Sequence, residues 1–427
     1  MDDQFSQSRA KLARLFAEEI VRQLVAAGHT AFFAGGCVRD QLRGEDTPDD
    51  YDIATSATPE QVTAIFGKHR TILVGVSFGV VCVRGKRDGH AMQVEVATFR
   101  VDGKYSDGRH PDSVVYSTAQ NDAQRRDFTI NGIFFDPIAN QVIDYVDGEK
   151  DIKLGIIRAI GVPHDRFEED KLRMLRAIRF AARFGYQIDP ETQAAIHEMA
   201  DQIKVVSPER IAMEMRKMFV LARRDWAIRE LWSTGLLRTI HPELNEYWSD
   251  ATKRESALEL VRMLKQPDFC TVAAAVLYDI AHDSTKPVLQ YAVELKQQWR
   301  LSNDEATTIG YLLNASETFS RAEEFSWSEL QPWLIQPAAG QAIDLARCIL
   351  LRSEKSVVGL ERCITALSWP REQLDPPPLV NGKDLYQAGV KPGPTFALKL
   401  HEIRSLQLDG KLNTHDEAME WLRKVES

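Results

Sequence analysis

The chain has 427 residues, 44% of them hydrophobic and 27% charged, with a net charge of −9. That length exceeds one ordinary core and predicts two to four structural units, and no apolar run approaches the roughly 20 residues that span a bilayer. The negative balance weighs against a surface that attracts phosphate everywhere and leaves any nucleic-acid contact to local basic patches, so composition alone favours an enzyme acting on a small molecule.

The start, "MDDQFSQSRAKLARLF", carries no signal-peptide apolar core, and five scattered cysteines without a CxxC pair suggest neither a disulfide framework nor a zinc site. These features predict a cytoplasmic protein. "SRAKLARLFAEEIVRQLVAAG" places Leu12, Leu15, Phe16, Ile20, Leu24 and Val25 on one helical stripe, with Gly28 as a C-cap. "TAFFAGGCV" is a short apolar run that ends in Gly-Gly. "RTILVGVSFGVVCVRG" and "MQVEVATFRV" alternate and are rich in β-branched residues, so they read as strands. "NGIFFDPIANQVIDYVDG" reads as a hairpin turning at Pro137 to Asn140. Residues 30–147 are thus the strand-bearing part. From about residue 150 the periodicity is helical almost to the end, with helix starts at Asp189-Pro190 and Ser207-Pro208. A break falls in "LKQPDF" near residue 267, and "SWPREQLDPPPLVNG", residues 368–382, is the best linker candidate.

Five stretches could carry chemistry. In "FFAGGCVRD" a strand ends at Gly35-Gly36 and a helix follows with Arg39 in its first turn. Glycines let backbone N–H groups approach a phosphate and Arg39 could complete a triphosphate clamp, although a tight turn with a surface arginine gives the same pattern. In "PDDYDIAT", a strand would put Asp50 and Asp52 on one face, about 7 Å apart, with Tyr51 and Asp49 on the other. Two such carboxylates can hold one or two magnesium ions, and Asp49 would be dispensable. Glu95 in "QVEVATFR" supplies a further strand acid. In "RRDFTINGIFFDP", Arg126 suits triphosphate oxygens and Asp127 could accept from a ribose hydroxyl; a local ion-pair network at a strand start explains them equally. In "RFEEDKLRMLRAIRFAARFG", Met174, Leu175, Ile178, Ala181 and Ala182 make the apolar side, and Arg173, Arg176, Arg179 and Arg183 a basic stripe on the other. Asp170 and Arg173, one turn apart, offer an acceptor and donors suited to a base edge; a solvated face of ion pairs is the competing explanation.

A Gly-Gly turn, a DxD some fourteen residues on and a further strand acid suit a nucleotidyltransferase sheet. "GGCVRD", "DDYDIAT", "RRDFTIN", "EEDKLRMLRAIRFAARFG" and "SPERIAMEM" resemble, in order, the five motifs of class II tRNA nucleotidyltransferases and bacterial poly(A) polymerases. The resemblance implies an α+β protein: a polymerase-β-like nucleotidyltransferase head with a mixed antiparallel sheet, then an elongated all-α neck, body and tail. The corresponding spans are 1–150, 151–225, 226–367 and 368–427. It implies that Gly35, Gly36 and Arg39 bind the incoming triphosphate, that Asp50 and Asp52 hold magnesium with Glu95 as a third acid, and that Arg126 and Asp127 contact ribose and phosphate. Asp170 and Arg173 would read the base of CTP or ATP, and Arg176 and Arg179 would add nucleotide contacts. The implied partners are CTP, ATP and a tRNA, held at its 3′ end and elbow, without a membrane.

Family members add CCA, CC, A or poly(A). "FRVDGKYSDGRHPDSVVY", residues 99–116, resembles a flexible loop that CC-only members lack, and the arginine-rich signature expected of poly(A) polymerases is absent from "TILVGVSFGVV". CCA addition and A addition alone both remain open at this point, and a non-catalytic RNA-binding protein is disfavoured by the intact acids. "AAAVLYDIAHDSTKP", residues 273–287, is similar to the HD phosphohydrolase signature of some relatives, but Tyr278 stands where its histidine belongs, so no phosphohydrolase activity is expected and His282-Asp283 reads as a loop coincidence.

Overall fold

Helix α1 (Asp2–Ala26) lays Phe16, Ala17, Ile20, Val21 and Leu24 into the core. Val25, expected on that stripe, is exposed, because it lies 100° round the helix from Leu24. Gly28 closes the helix at φ +88, with its N–H on the Val25 carbonyl at 2.9 Å and that of His29 on the Leu24 carbonyl at 3.0 Å. The structure, a computed structural model, describes residues 2–45, 48, 50–75, 79–103, 113–265, 267–390 and 394–426. By internal contacts the chain divides into two units, Met1–Pro242 and Glu243–Ser427.

The first unit continues with β1 (Ala31–Ala34), α2 (Gly36–Leu42), β2 (Asp52–Thr55), α3 (Pro59–Phe66), β3 (Thr71–Gly75), β4 (Val80–Arg87), β5 (His90–Thr98), β6 (Arg100–Asp102), β7 (Val114–Tyr116), α4 (Ala119–Gln124), β8 (Phe134–Asp136), β9 (Gln141–Ile143) and α5 (Gly148–Leu154). Seven strands form one sheet in the order β3-β4-β5-β2-β1-β8-β9. The β2–β5 pair is parallel and the other described pairs are antiparallel, so the sheet is mixed as expected. The β8–β9 hairpin turns at residues 137–140, where Asn140 takes φ 52. β6 and β7 pair as the stems of the 99–116 segment; its residues 104–112 lie outside the described residues. Helix α3 shows how local chemistry sets an element: Thr58 and Gln61 form a capping box around Pro59 in the first turn.

Beyond the sheet come β10 (Ile156–Ile157), α6 (Pro163–Glu169), α7 (Leu172–Phe184), β11 (Gln187–Ile188), α8 (Pro190–Met199) and α9 (Pro208–Phe219). The helix starts at Pro190 and Pro208 are as predicted. The β10–β11 pair is too short to leave a periodic signal. Residues 166–185 hold the end of α6 and then α7, which starts just after Asp170, where the sequence places a helix start. Asp170 adopts an extended backbone (φ −150, ψ 105) and its carboxylate accepts from Leu172 N at 3.0 Å, which ends α6 and starts α7. Likewise "FTIN" is a 3₁₀ turn over Thr129–Asn131 rather than a strand start, since Phe128 makes only an isolated bridge to Ala159.

The second unit is helical. The break near 267 is a helix start: Asp268 caps the helix Phe269–Asp283 by accepting from Thr271 N at 2.7 Å. His282 and Asp283 therefore end a helix and are not in a loop. His282 donates from Nδ1 to the Tyr278 carbonyl at 2.8 Å, and Tyr278 donates its hydroxyl to Glu317. The proline-rich stretch is no free spacer either. Gln331 donates to the Leu374 carbonyl at 3.0 Å, and Arg404 donates to Asp375 at 2.9 Å and to the Pro376 carbonyl at 2.6 Å.

Helix α5 approaches the Thr129–Asn131 turn without room for a side chain. A Cβ on Gly148 would lie 2.1 Å from the Thr129 carbonyl oxygen and 2.6 Å from Ile133. Gly148→Ala is expected to cost about 2–3 kcal/mol and to lower the first thermal transition by roughly 5–10 °C. A differential scanning calorimetry trace that matches the parent would show that the turn does not depend on this contact.

Candidate active site

Tyr51 is buried against Phe33, with ring centroids 4.9 Å apart, and this anchors the entry to β2. With Tyr51 turned inward, Asp50 and Asp52 are both exposed, the alternation read from the sequence. Asp49 lies outside the described residues. The parallel register pairs Asp52 with Glu95, so the two carboxylates share a sheet face on strands about 5 Å apart. Asp52 has its pKa pushed up to about 6 by the protein packed around it and by repulsion from Asp50 and Glu95, against a smaller opposing pull from Arg126. Its side chain is still reachable by solvent, so repulsion among three acids of like charge is the part of this shift most specific to the site.

The Gly-Gly turn lies beside these acids. Gly35 is at φ 73, ψ −128 ahead of α2. A Cβ there would approach Arg126 Nη1 to 3.4 Å and Asp52 Oδ2 to 3.8 Å, so glycine keeps open the space between that cation and that anion. Arg39 is not an open clamp. It is 5% exposed, donates to Asp40 at 2.7 Å and to Asn131 Oδ1 at 2.6 Å, and lies 4.6 Å from the centre of the Phe184 ring. Its Nη2 stands 3.6 Å from where a Gly36 Cβ would be, so the guanidinium braces the turn from below.

Arg126 and Asp127 belong to one network. Asp122, buried in α4, accepts from Arg125 Nε at 2.9 Å and from Arg126 Nη2 at 3.1 Å. Burial alone would raise its pKa, but the two arginines hold it below the usual carboxylate range. Arg126 Nη1 also donates to the Asn131 carbonyl at 3.2 Å. Asp127 accepts from Asn131 Nδ2 at 3.0 Å and Phe128 N at 2.9 Å on one oxygen, and from Arg176 Nε at 2.9 Å on the other. Burial pushes its pKa up, but Arg176, Asn131 and Arg173 outweigh that and bring it to about 2.

The basic stripe on α7 therefore faces protein more than solvent. Arg176 reaches Asp127, and Arg179, 8% exposed, pairs with buried Glu214 of α9 at 2.6 Å, although the angle falls outside hydrogen-bond geometry. Arg173 donates to Glu169 and to the carbonyls of Arg166 at 3.0 Å and Arg125 at 3.4 Å. Asp170 is held by both arms of Arg210, at 3.2 and 2.7 Å. Phe180 and Phe184 stack at 5.8 Å and receive Arg176, Arg179 and Arg39 on their faces. Sequence reasoning missed Asp122, Asn131, Arg210 and Glu214. Asp122 had a readable signal, since it stands three and four residues before Arg125 and Arg126 in a helix. The others act across long sequence separations and left none.

The donor set around Asp52 is all carboxylate oxygen, which suits a hard divalent cation. Among the described residues no three His, Cys, Asp or Glu side chains stand close enough to hold an ion unaided. The remaining ligands would come from substrate phosphates and water. For the folded state the sign is unfavourable: an acid whose pKa rises from 3.8 to about 6 costs stability once it ionises. Asp52→Asn should therefore stabilise the chain. The gain should grow between pH 4 and 6, stay flat above, and amount to about 1 kcal/mol after solvent screening. Melting curves from pH 4 to pH 8 read this, and a gain that fell with rising pH would contradict the raised pKa.

The family model "Poly A polymerase head domain" matches residues 31–158, and "Probable RNA and SrmB-binding site of polymerase A" matches residues 185–247. The CCA-adding enzyme of Latilactobacillus sakei is 33% identical over 93% of this chain and 96% of its own. That of Enterococcus faecalis is 32% identical, over 94% of both chains. The crystal structure of the Bacillus stearothermophilus CCA-adding enzyme in complex with CTP superposes with a TM-score of 0.73 at 29% identity, covering 96% of this chain and 98% of that one. Nucleotidyltransferases of this family use divalent metals. The chain belongs to the family of CCA-adding tRNA nucleotidyltransferases and bacterial poly(A) polymerases.

Proposed function

We propose that this protein adds CCA to the 3′ ends of tRNA from CTP and ATP, releasing pyrophosphate at each step. The observation that carries the reading is the Asp52–Glu95 register beside Arg126, in a chain that aligns over 93% of its length with a CCA-adding enzyme. Residues 1–150 act as catalytic head, 151–225 as a neck that selects the nucleotide, and 226–367 and 368–427 as body and tail, the tail holding the tRNA. Magnesium bound at Asp50 and Asp52 would polarise the α-phosphate and acidify the primer's 3′ hydroxyl.

The protein's own groups do the rest. The primer 3′ oxygen attacks the α-phosphorus in line while the bond to the β-phosphate breaks. Gly35 and Gly36 let the triphosphate approach the backbone, and Arg126, next to Asp52, offers its guanidinium to phosphate oxygens. Arg39 and Asn131 hold that turn rigid. Asp127 orients Asn131 and Arg176; with Phe128 N they fill its four acceptor sites, so it positions the groups around the ribose rather than accepting from it. Asp170 and Arg173, held by Arg210 and Glu169, present an acceptor and donors to the base edge of CTP or ATP. Arg176 and Arg179 support that surface from α7.

The test is incubation with tRNAs ending before CCA, after C and after CC, with CTP and ATP supplied separately and together. Two C additions followed by one A is the expected product; A addition to the CC-ended substrate alone, or long A tails, would replace this reading. Arg173→Ala should reduce discrimination between CTP and ATP about tenfold, with a smaller effect on triphosphate affinity, in single-turnover assays. Unchanged discrimination would remove Arg173 from base selection.

A further inference from the structure

The two rings stacked on α7 divide the arginines of the site between them. Phe184 lies under two guanidiniums of α2, with Arg39 at 4.6 Å from its centroid and Arg43 at 4.1 Å. Phe180, one turn earlier, takes Arg179 at 4.4 Å and Arg176 at 5.1 Å, and packs edge-on against Phe128, the neighbour of Asp127, at 5.8 Å. Both rings are buried. The α2 pair leads back to the Gly-Gly turn: Arg43 N donates to the Arg39 carbonyl at 3.0 Å, and Arg39 N to the Gly35 carbonyl at 3.2 Å. Carboxylates do not satisfy all of this charge. Arg39 pairs with Asp40, Arg43 with Glu45, Arg176 with Asp127 and Arg179 with Glu214, while Arg183, 5.2 Å from Phe184, only shares Asp40 at 4.0 Å. Arg43 reaches Glu45 through Nε at 3.0 Å and Nη2 at 2.8 Å, but its Nη1 is buried without a hydrogen-bond acceptor. What that group faces instead is aromatic: Phe184, and Tyr186 at 5.0 Å. The ring faces supply the negative potential that the acids leave short.

We propose that Phe184 and Phe180 are positioning residues with separate duties: the face of Phe184 holds α2, and with it the turn that receives the triphosphate, while Phe180 holds the arginines on the base-selecting side. The inference rests on the transferase reading above. Each ring acts through the guanidiniums it faces. A leucine fills the same space with apolar volume but has no face of negative potential, and at position 184 it would leave Arg43 Nη1 against hydrocarbon. Electron density on the ring, rather than its volume, is then the quantity that controls the turn. CTP and ATP share their triphosphate and differ in their base. Loosening α2 should therefore weaken both nucleotides alike, and loosening the Phe180 side should change the choice between them.

The full-length chain is compared with F184L, F184Y and F180L, and with chains carrying mono-, di- and trifluorophenylalanine at position 184, where each fluorine drains the ring face at nearly constant shape. Equilibrium binding of CTP and of ATP is measured, together with KM and kcat for each on a tRNA lacking CCA. F184L should weaken both nucleotides about tenfold, as loss of a desolvated cation–π contact does, with the CTP-to-ATP ratio held and kcat changed less than KM. F184Y keeps the face and should restore most of the affinity, and the fluorinated series should lose CTP affinity step by step. F180L should instead shift the CTP-to-ATP ratio, by about fivefold. The fluorinated series decides the matter even where F184L does not fold. CTP affinity that is level across that series overturns the proposal, and so does an F184L effect on the CTP-to-ATP ratio equal to that of F180L. If the parent binds CTP and loses it with fluorination but adds no nucleotide, the transferase reading fails and the role of Phe184 stands.

Discussion

The Asp127 carboxylate is the constraint from which the candidate site is built. One oxygen takes the Asn131 amide and the Phe128 backbone N–H, and the other takes Arg176 from α7. Asn131 then passes the constraint on: its side-chain oxygen holds Arg39 beneath the Gly-Gly turn, and its backbone carbonyl holds Arg126 beside Asp52. One partly buried acid thus fixes the turn that would receive phosphates, the arginine that would grip them and the helix that would read the base. A carboxylate so surrounded stays ionised well below neutral pH, and removing any partner would leave buried charge uncompensated.

Two electrostatic regimes meet at β2. On the Arg126 side nearly every cation already has its anion, with geometry set before substrate arrives, so little reorganisation is left for the reaction itself. On the β2–β5 side the balance is uncompensated: three acids repel one another around Asp52, and beyond them Arg84 and Lys86 stand unpaired among the described residues. Native folds keep such unfavourable charge where ligands will neutralise it. A divalent cation would supply the charge that the three acids lack.

Much of this was legible in the sequence where the determinants are local. Period-two alternation placed Asp50 and Asp52 on one face and Tyr51 inside; the Gly28 cap, the turn at Pro137 to Asn140 and the helix starts at Pro190 and Pro208 follow from residue chemistry within a few positions. Pairing between distant segments was not legible. Glu95 became a strong candidate only through its parallel register with Asp52. The α7 arginines read as a solvated stripe because Asp127 and Glu214, 49 and 35 positions from their partners, leave no mark on helical periodicity. Asp170 was legible as a helix start, but Arg210, which holds its carboxylate from forty residues on, was not.

The central claim is that the carboxylates of β2 carry out nucleotidyl transfer. It is tested most directly by single-turnover incorporation of CTP into a tRNA lacking CCA, comparing Asp50→Ala and Asp52→Ala with the parent chain after confirming that each variant still binds that tRNA. Loss of at least about a thousandfold in rate, with tRNA binding retained, is the predicted result. Rates within tenfold of the parent in either variant would contradict the assignment.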